Sequence, residues 1–140
     1  MSFTGAIQSA FSNYATFRGR ASRAEFWWFV LFALLGNLLL GVADGLLVGP
    51  ILGFSPFSGE GAQPLGSLFS LAIFVPSLAV GARRMHDTGR SGWWLLVNLV
   101  PVVGWVIYLY FAIQPGEPAI NAYGRPPPSE ASAARPPIRD

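Results

Sequence analysis

The sequence predicts an all-α integral membrane protein, with three transmembrane helices preceded by an interfacial amphipathic helix and followed by a disordered C-terminal tail. Two observations lead to this prediction. Hydrophobic residues make up 52% of the chain and charged residues only 11%, whereas about a quarter of the residues of a soluble domain are charged. The apolar residues are also collected into three runs, each close to the ~20 residues that a membrane helix needs.

The chain divides into three predicted parts. Residues 1–25 form the interfacial helix and a basic flank, residues 26–113 the three-span transmembrane domain, and residues 114–140 a Pro-rich tail. At ~1.5 Å per residue, about 20 residues cross the ~30 Å hydrocarbon core. The spans are expected at about residues 26–48, 65–82 and 93–113.

The N-terminal part has aromatic and apolar residues at helical spacing, which predicts a helix lying on the membrane. These residues are Phe3, Ile7, Phe11, Tyr14 and Phe17. A cleaved signal peptide is not expected, because no basic residue precedes Arg18. A mitochondrial transit peptide is the alternative interpretation.

The loops between the spans differ in charge, which predicts the orientation. Arginines stand before the first span and between the second and third, whereas residues 49–64 carry Glu60 and no basic residue. The positive-inside bias therefore places the N-terminus and the second loop in the cytoplasm and the C-terminus outside. A reversal at residues 43–45 would instead give four spans, two of them of half length.

The first motif lies just before the first span. Ser22 and Glu25 have the spacing of a capping box, which indicates a helix start. The neighbouring arginines, Arg18, Arg20 and Arg23, could in addition collect anionic lipid headgroups. The two interpretations are compatible.

The second motif, residues 83–94, joins the second and third spans. Arg83 and Asp87 are four residues apart and are expected to pair if the helix continues, and Gly89 is expected to end it. The simplest interpretation is a charged turn on the positive side of the membrane. We also expect Arg20 or Arg23 to contact Asp87 or the carbonyls of this loop, since both motifs lie at the same membrane face.

Catalytic and metal chemistry have little support. His86, Asp87 and Ser91 are the residue types of a hydrolytic triad, but adjacent His and Asp side chains diverge. One His, scattered carboxylates and no Cys do not form a zinc set. No catalytic residue, metal or cofactor is therefore expected.

Two polar residues lie within the apolar runs. Asp44 is expected near the outer membrane interface, although an intramembrane carboxylate is a functional hypothesis by default. Asn98 is expected to hydrogen-bond a neighbouring helix.

Several of these segments resemble a bacterial inner-membrane family, the domain of unknown function 805. The matching pieces are residues 17–27, Pro76 with residues 78–80, residues 83–94, Pro101 with Gly104, and residues 121–124. Met85 stands where that family more usually has Leu, a swap of similar volume. The resemblance implies a multi-pass protein of the bacterial inner membrane with about three helices, and it implies no activity.

The leading hypothesis is a non-enzymatic membrane protein that binds anionic lipid or a protein partner through its cytoplasmic motifs. The expected binding residues are Arg18, Arg20, Arg23, Glu25, Arg83, Arg84, His86, Asp87 and Arg90. The partners expected are membrane lipids, and a homo-oligomer or another membrane protein is an open possibility. Nucleic acid is not expected, since the chain lacks a broad basic face. The alternatives are a subunit of an oligomeric transporter or channel using Asp44 and Asn98, and a membrane enzyme using His86 and Asp87.

Reporter fusions test the predicted topology. A reporter at Asp140 and one within the loop at Glu60 should both report the non-cytoplasmic side, because an odd number of crossings separates each from the arginine-rich N-terminus. Cytoplasmic exposure at Asp140 would contradict three spans.

Overall fold

The computed structural model describes residues 1–59 and 61–128, and within them the chain is helical, as predicted. The segments are α1 (Phe3–Ser12), α2 (Arg23–Ile51), α3 (Pro64–Asp87), a 3-10 helix (Gly92–Leu99) and α4 (Val103–Ile113). Glu60 and residues 129–140, the last part of the tail expected to be disordered, lie outside the described residues.

Helices α2 and α3 are long and apolar enough to cross a membrane. Large side chains on α2 are open to the surroundings, for example Leu34, Leu38 and Leu39, which are 63%, 63% and 68% exposed. Such a continuous apolar surface requires a lipid or protein environment. Helix α2 continues beyond Asp44 through a π-helical turn, Asp44–Val48, so the alternative of a chain reversal at residues 43–45 is wrong.

The third apolar segment is not one helix, and it turns back on itself, because the rings of Trp94 near its start and Phe111 near its end have centroids 5.1 Å apart. The expectation of a third transmembrane helix over residues 93–113 is therefore corrected. The 3-10 helix ends at Leu99 and α4 begins at Val103. Pro101 explains the break, because proline cannot donate the hydrogen bond that would continue the helix. The prediction that Asn98 hydrogen-bonds a neighbouring helix is also corrected. Its Nδ2 donates to the Leu95 carbonyl, 3.1 Å away in the same segment.

The contacts divide the chain into two compact units. The first, called the motif unit here, comprises Met1–Phe29 and Pro76–Asp140. In it, Ser2 caps the N-terminus of α1, and its Oγ accepts from the Gly5 amide at 3.1 Å. The Phe3 ring meets Trp28 edge-on with centroids 5.7 Å apart, which packs α1 against the start of α2.

The second unit, Val30–Val75, is called the loop unit here. Its Asp44 side chain is buried, and the two carboxylate oxygens accept from the amides of Leu65 and Gly66 at 3.1 and 2.8 Å. These amides belong to the first turn of α3, which lacks intrahelical acceptors and carries partial positive charge. Asp44 therefore caps α3.

Substitution of Asp44 should measure this cap. Asp44→Ala should lower the free energy of unfolding by about 1 kcal/mol, because two amides of α3 lose their acceptor. Asp44→Asn should lower it less, since one oxygen remains to accept. Thermal unfolding of the full chain in a neutral detergent provides the measurement, and equal stability of all three proteins would contradict the cap.

Candidate functional site

The site is built around the carboxylate of Asp87, at the end of α3. Its Oδ1 accepts from Arg20 Nε at 2.8 Å, and its Oδ2 accepts from Arg84 Nη1 at 2.5 Å. All three side chains are fully buried. The predicted contact between Arg20 and Asp87 is therefore present, and it joins the first motif to the second. We call these three residues the arginine clamp.

The clamp contains two cations and one anion, and backbone carbonyls satisfy the remaining guanidinium hydrogens. Arg84 donates from Nε to Ala112 at 3.0 Å, from Nη1 to Ala21 at 3.3 Å, and from Nη2 to Gln114. A guanidinium has five donors in a fixed planar arrangement, so it can hold several chain segments at once. Arg84 thus ties the first motif to the end of α4.

Arg20 binds the segment after α4 in the same way. Its Nη1 donates to the carbonyls of Ala119 and Gly124 at 2.8 and 3.3 Å, and its Nη2 donates to that of Glu117. The amide of Glu117 also donates to the Asp87 carbonyl at 2.8 Å. Residues 114–124 are therefore part of the site.

Sequence reasoning missed this role, since it assigned residues 114–140 to a Pro-rich tail. The contacts to Arg20 and Arg84 come from main-chain oxygens, which every residue type carries, so composition and spacing contain little sign of them. The one sequence signal is the short match at residues 121–124 to the resembling family. There Asn121 Nδ2 donates to the His86 carbonyl at 2.9 Å.

A second ion pair lies in the same unit. Arg83 Nη2 is 2.9 Å from Glu25 Oε1, and Ser9 Oγ donates to that oxygen at 3.0 Å. The expected pairing of Arg83 with Asp87 is wrong, because Asp87 is held by Arg84 and Arg20. Arg83 is 5% exposed, and its Nε and Nη2 have no aligned hydrogen-bond acceptor among the described residues.

The local sequence explains why α2 starts, and why α3 ends, next to these ion pairs. Ser22 Oγ accepts from the Glu25 amide at 3.1 Å, as expected for the cap of α2. The Glu25 carboxylate reaches Ser9 and Arg83. Helix α3 ends at Asp87, and Gly89 follows with a φ of 72°, a left-handed conformation that glycine adopts readily.

The His86 side chain contacts Gly19 and Tyr123 rather than Asp87. Its Nδ1 donates to the Gly19 carbonyl at 3.0 Å, and its ring stacks on Tyr123 with centroids 3.9 Å apart. His86 and Asp87 thus bind different partners and do not form a proton-relay pair. Among the described residues, no group of three or more His, Asp or Glu is close enough to hold a metal ion.

The remaining arginines of the two motifs lie outside the clamp. Arg18 and Arg23 are exposed. Arg90 lies over the Phe111 ring, with its guanidinium carbon 4.0 Å from the ring centroid, and its Nη1 donates to the Thr88 carbonyl at 3.2 Å. The structure thus brings together six of the nine expected binding residues, namely Arg20, Glu25, Arg83, Arg84, His86 and Asp87.

A double-mutant cycle measures the coupling in the clamp. Arg20→Gln and Asp87→Asn should each destabilise the protein, Asp87→Asn by about 3–5 kcal/mol because it leaves two buried cations without their anion. The combined loss should be smaller than the sum by about 0.5–3 kcal/mol, as is typical of groups in direct contact. Unfolding of the full chain in nanodiscs of phosphatidylcholine, which carries no net charge, is the measurement.

Arg18→Gln is the matched control for that cycle, since Arg18 belongs to the same motif but is exposed. Its effect should be small and additive with that of Asp87→Asn. Additive losses for Arg20 and Asp87 would show that the clamp contact does not contribute to stability.

Comparison with known proteins agrees with the membrane character of the chain. The family model described as "Protein of unknown function (DUF805)" matches residues 14–125. The chain is 41% identical to the inner membrane protein YhaH of Escherichia coli K12 over 118 residues, which are 84% of this chain and 92% of that protein. It is 38% identical to the inner membrane protein YhaI of the same strain over 119 residues, 85% of this chain and 92% of that protein.

No solved structure matches the chain. The family match covers both arginine motifs, the clamp and the docked segment up to Gly124. The relatives are named as inner membrane proteins, and the structure has two helices of membrane-spanning length. This chain is therefore an inner-membrane protein that belongs to the DUF805 family of proteins of unknown function.

Proposed function

We propose that this protein is a non-enzymatic, multi-pass membrane protein whose cytoplasmic surface binds anionic phospholipid headgroups through Arg18 and Arg23. The observation that carries the proposal is the division of the first motif into buried and exposed arginines. Arg20 is buried and bound to Asp87 and to carbonyls, whereas Arg18 and Arg23 on either side of it are exposed. The clamp thereby presents two cations at the start of α2.

The charge bias of the loops supports a cytoplasmic position for these arginines. In the part of the chain that the structure describes, α2 and α3 are the two helices of membrane-spanning length, which favours two crossings. The third apolar segment enters and leaves the membrane at the same face in this proposal, because Trp94 near its start and Phe111 near its end have ring centroids 5.1 Å apart. The chain after α4 accordingly returns to Arg20, just before α2.

Tryptophans support the same placement. Trp27 and Trp28 follow the exposed arginines and are 36% and 38% exposed, and Trp93 after the second motif is 78% exposed. Indole rings concentrate at the level of the lipid headgroups. Arginines beside them are positioned to meet lipid phosphates, with which a guanidinium forms charge-assisted hydrogen bonds.

The alternatives have weaker support. An enzyme using His86 and Asp87 would need groups that are engaged elsewhere: Asp87 holds two guanidiniums and His86 Nδ1 holds a carbonyl. The side chains that would line a transport path are also engaged in other contacts. Asp44 caps α3, and Asn98 donates within its own segment. We therefore favour lipid binding.

Lipid-dependent stabilisation tests the proposal. In neutral detergent, phosphatidylglycerol should raise the unfolding temperature of the full chain and phosphatidylcholine should not, since a ligand that binds the folded state stabilises it. Each arginine contributes ~1 kcal/mol at an anionic surface, so the double variant Arg18→Gln/Arg23→Gln should weaken the apparent affinity about thirtyfold. High salt should also reduce the rise in unfolding temperature that phosphatidylglycerol causes, because salt screens charges at the surface.

The matched control is Arg18→Lys/Arg23→Lys, which keeps the charge and should retain most of the response. Equal responses to the two lipids, or a full response of the glutamine variant, would contradict the proposal. A membrane protein that copurifies with the native chain but not with the glutamine variant, without lipid selectivity, would identify this surface as a protein-binding site instead.

A further inference from the structure

A cleft lined in part by His86, the residue before Asp87 of the clamp, has a volume of about 500 Å³. Its walls are mostly apolar and include Phe17, Leu78, Trp93 and Leu96. Two polar side chains, those of His86 and Ser91, also line it. All of these residues belong to the motif unit. An apolar cavity of this size with a few polar groups is typical of small-molecule sites.

The hydrogen bonds of His86 define which atom is available in the cleft. A carbonyl can only accept, so the contact to Gly19 assigns the proton to Nδ1. In the neutral ring Nε2 is then an acceptor, and it makes no hydrogen bond within the described part of the chain. A Cβ built on Gly92 would lie 3.3 Å from Nε2, so this nitrogen lies beside the glycine wall of the cleft.

Ser91 complements this acceptor. Its Oγ accepts from the Trp93 amide at 3.3 Å, and a serine hydroxyl can donate its own hydrogen in addition. The cleft therefore holds one acceptor and one donor among apolar walls. This pair matches a single hydroxyl group, which both donates and accepts.

The size and charge of the cleft restrict its occupant. A helix of ~10 Å diameter occupies ~80 Å³ per Å of length, so the cleft could hold only about one turn. None of the residues lining the cleft is an arginine or a carboxylate, so nothing there would compensate a charged headgroup. A slender, uncharged amphiphile fits both restrictions.

We propose that this cleft binds an uncharged lipid with one alkyl or prenyl chain and a single hydroxyl, which donates to His86 Nε2 and accepts from Ser91. The chain of the lipid lies along Leu78, Trp93 and Leu96. This inference is independent of the phospholipid surface at Arg18 and Arg23, because neither arginine lines the cleft.

Quenching of Trp93 fluorescence tests the proposal directly. The full chain in neutral detergent, with Trp93 as its only tryptophan and Phe at the other four positions, is titrated with hexadecanol brominated near the middle of the chain. Hexadecane and hexadecanoate with bromine at the same place are the comparison probes. The alcohol should quench at about three- to tenfold lower concentration, the usual effect of one hydrogen bond.

A second protein with Trp105 as its only tryptophan measures non-specific partition, since Trp105 does not line the cleft and is 51% exposed. It should quench equally with all three probes. Equal quenching of Trp93 by all three probes, or a preference for the carboxylate, would overturn the proposal.

Two variants locate the binding. His86→Asn keeps a donor for the Gly19 carbonyl and removes Nε2, so it should abolish the preference for the alcohol. Leu96→Phe, at a position 54% exposed, fills the cleft and should raise the half-quenching concentration of the alcohol even if His86→Asn does not fold. An unchanged alcohol preference in folded His86→Asn, or an unchanged half-quenching concentration of the alcohol in folded Leu96→Phe, would overturn the assignment.

Discussion

The carboxylate of Asp87 between Arg20 and Arg84 is the interaction on which the motif unit depends. Removing a guanidinium from water costs several kcal/mol, and one carboxylate can compensate only part of that cost for two of them. The remaining hydrogens therefore require other acceptors. Residues 112–124 supply these as backbone carbonyls, so this segment packs against the second motif although few of its side chains are apolar.

The same requirement divides the arginines by role. Those that face Asp87 are fully satisfied by the protein and hold three parts of the chain together: the first motif, the end of α3, and the segment after α4. Arg18 and Arg23 lie in the same run of sequence but remain exposed. A surface that attracts lipid phosphates needs exposed cations on a fixed backbone, and the clamp holds the backbone on which these two arginines lie.

In the loop unit, a buried carboxylate is stabilised by backbone amides instead of arginines. Asp44 is buried in an apolar run, where an ionised carboxylate would be costly if left alone. The amides of Leu65 and Gly66 satisfy both of its oxygens, and the helix dipole favours its charge. Its presence within an apolar run therefore has a structural explanation that requires no ion path.

The amino-acid sequence by itself determined the helical class, the positions of the two long apolar helices, the caps at Ser22 and Gly89, and the meeting of Arg20 with Asp87. These features follow from local composition, helical periodicity and the small number of acids available to the arginines. The choice between Arg83 and Arg84 as the helical partner of Asp87 was not predictable in this way, since both lie at helical spacing from it. Asn98 was likewise assigned a partner on another helix, although an acceptor in its own segment was available.

Only the tertiary structure decided that Arg83 pairs with Glu25, that residues 114–124 complete the site, and that His86 lines an apolar cleft. The physical reason is that these contacts join residues far apart in the chain, and many of them use backbone atoms that all residues share. Patterns in sequence report which side chains occur and how often they repeat. They do not report which carbonyl oxygens a buried guanidinium will reach once the helices have packed.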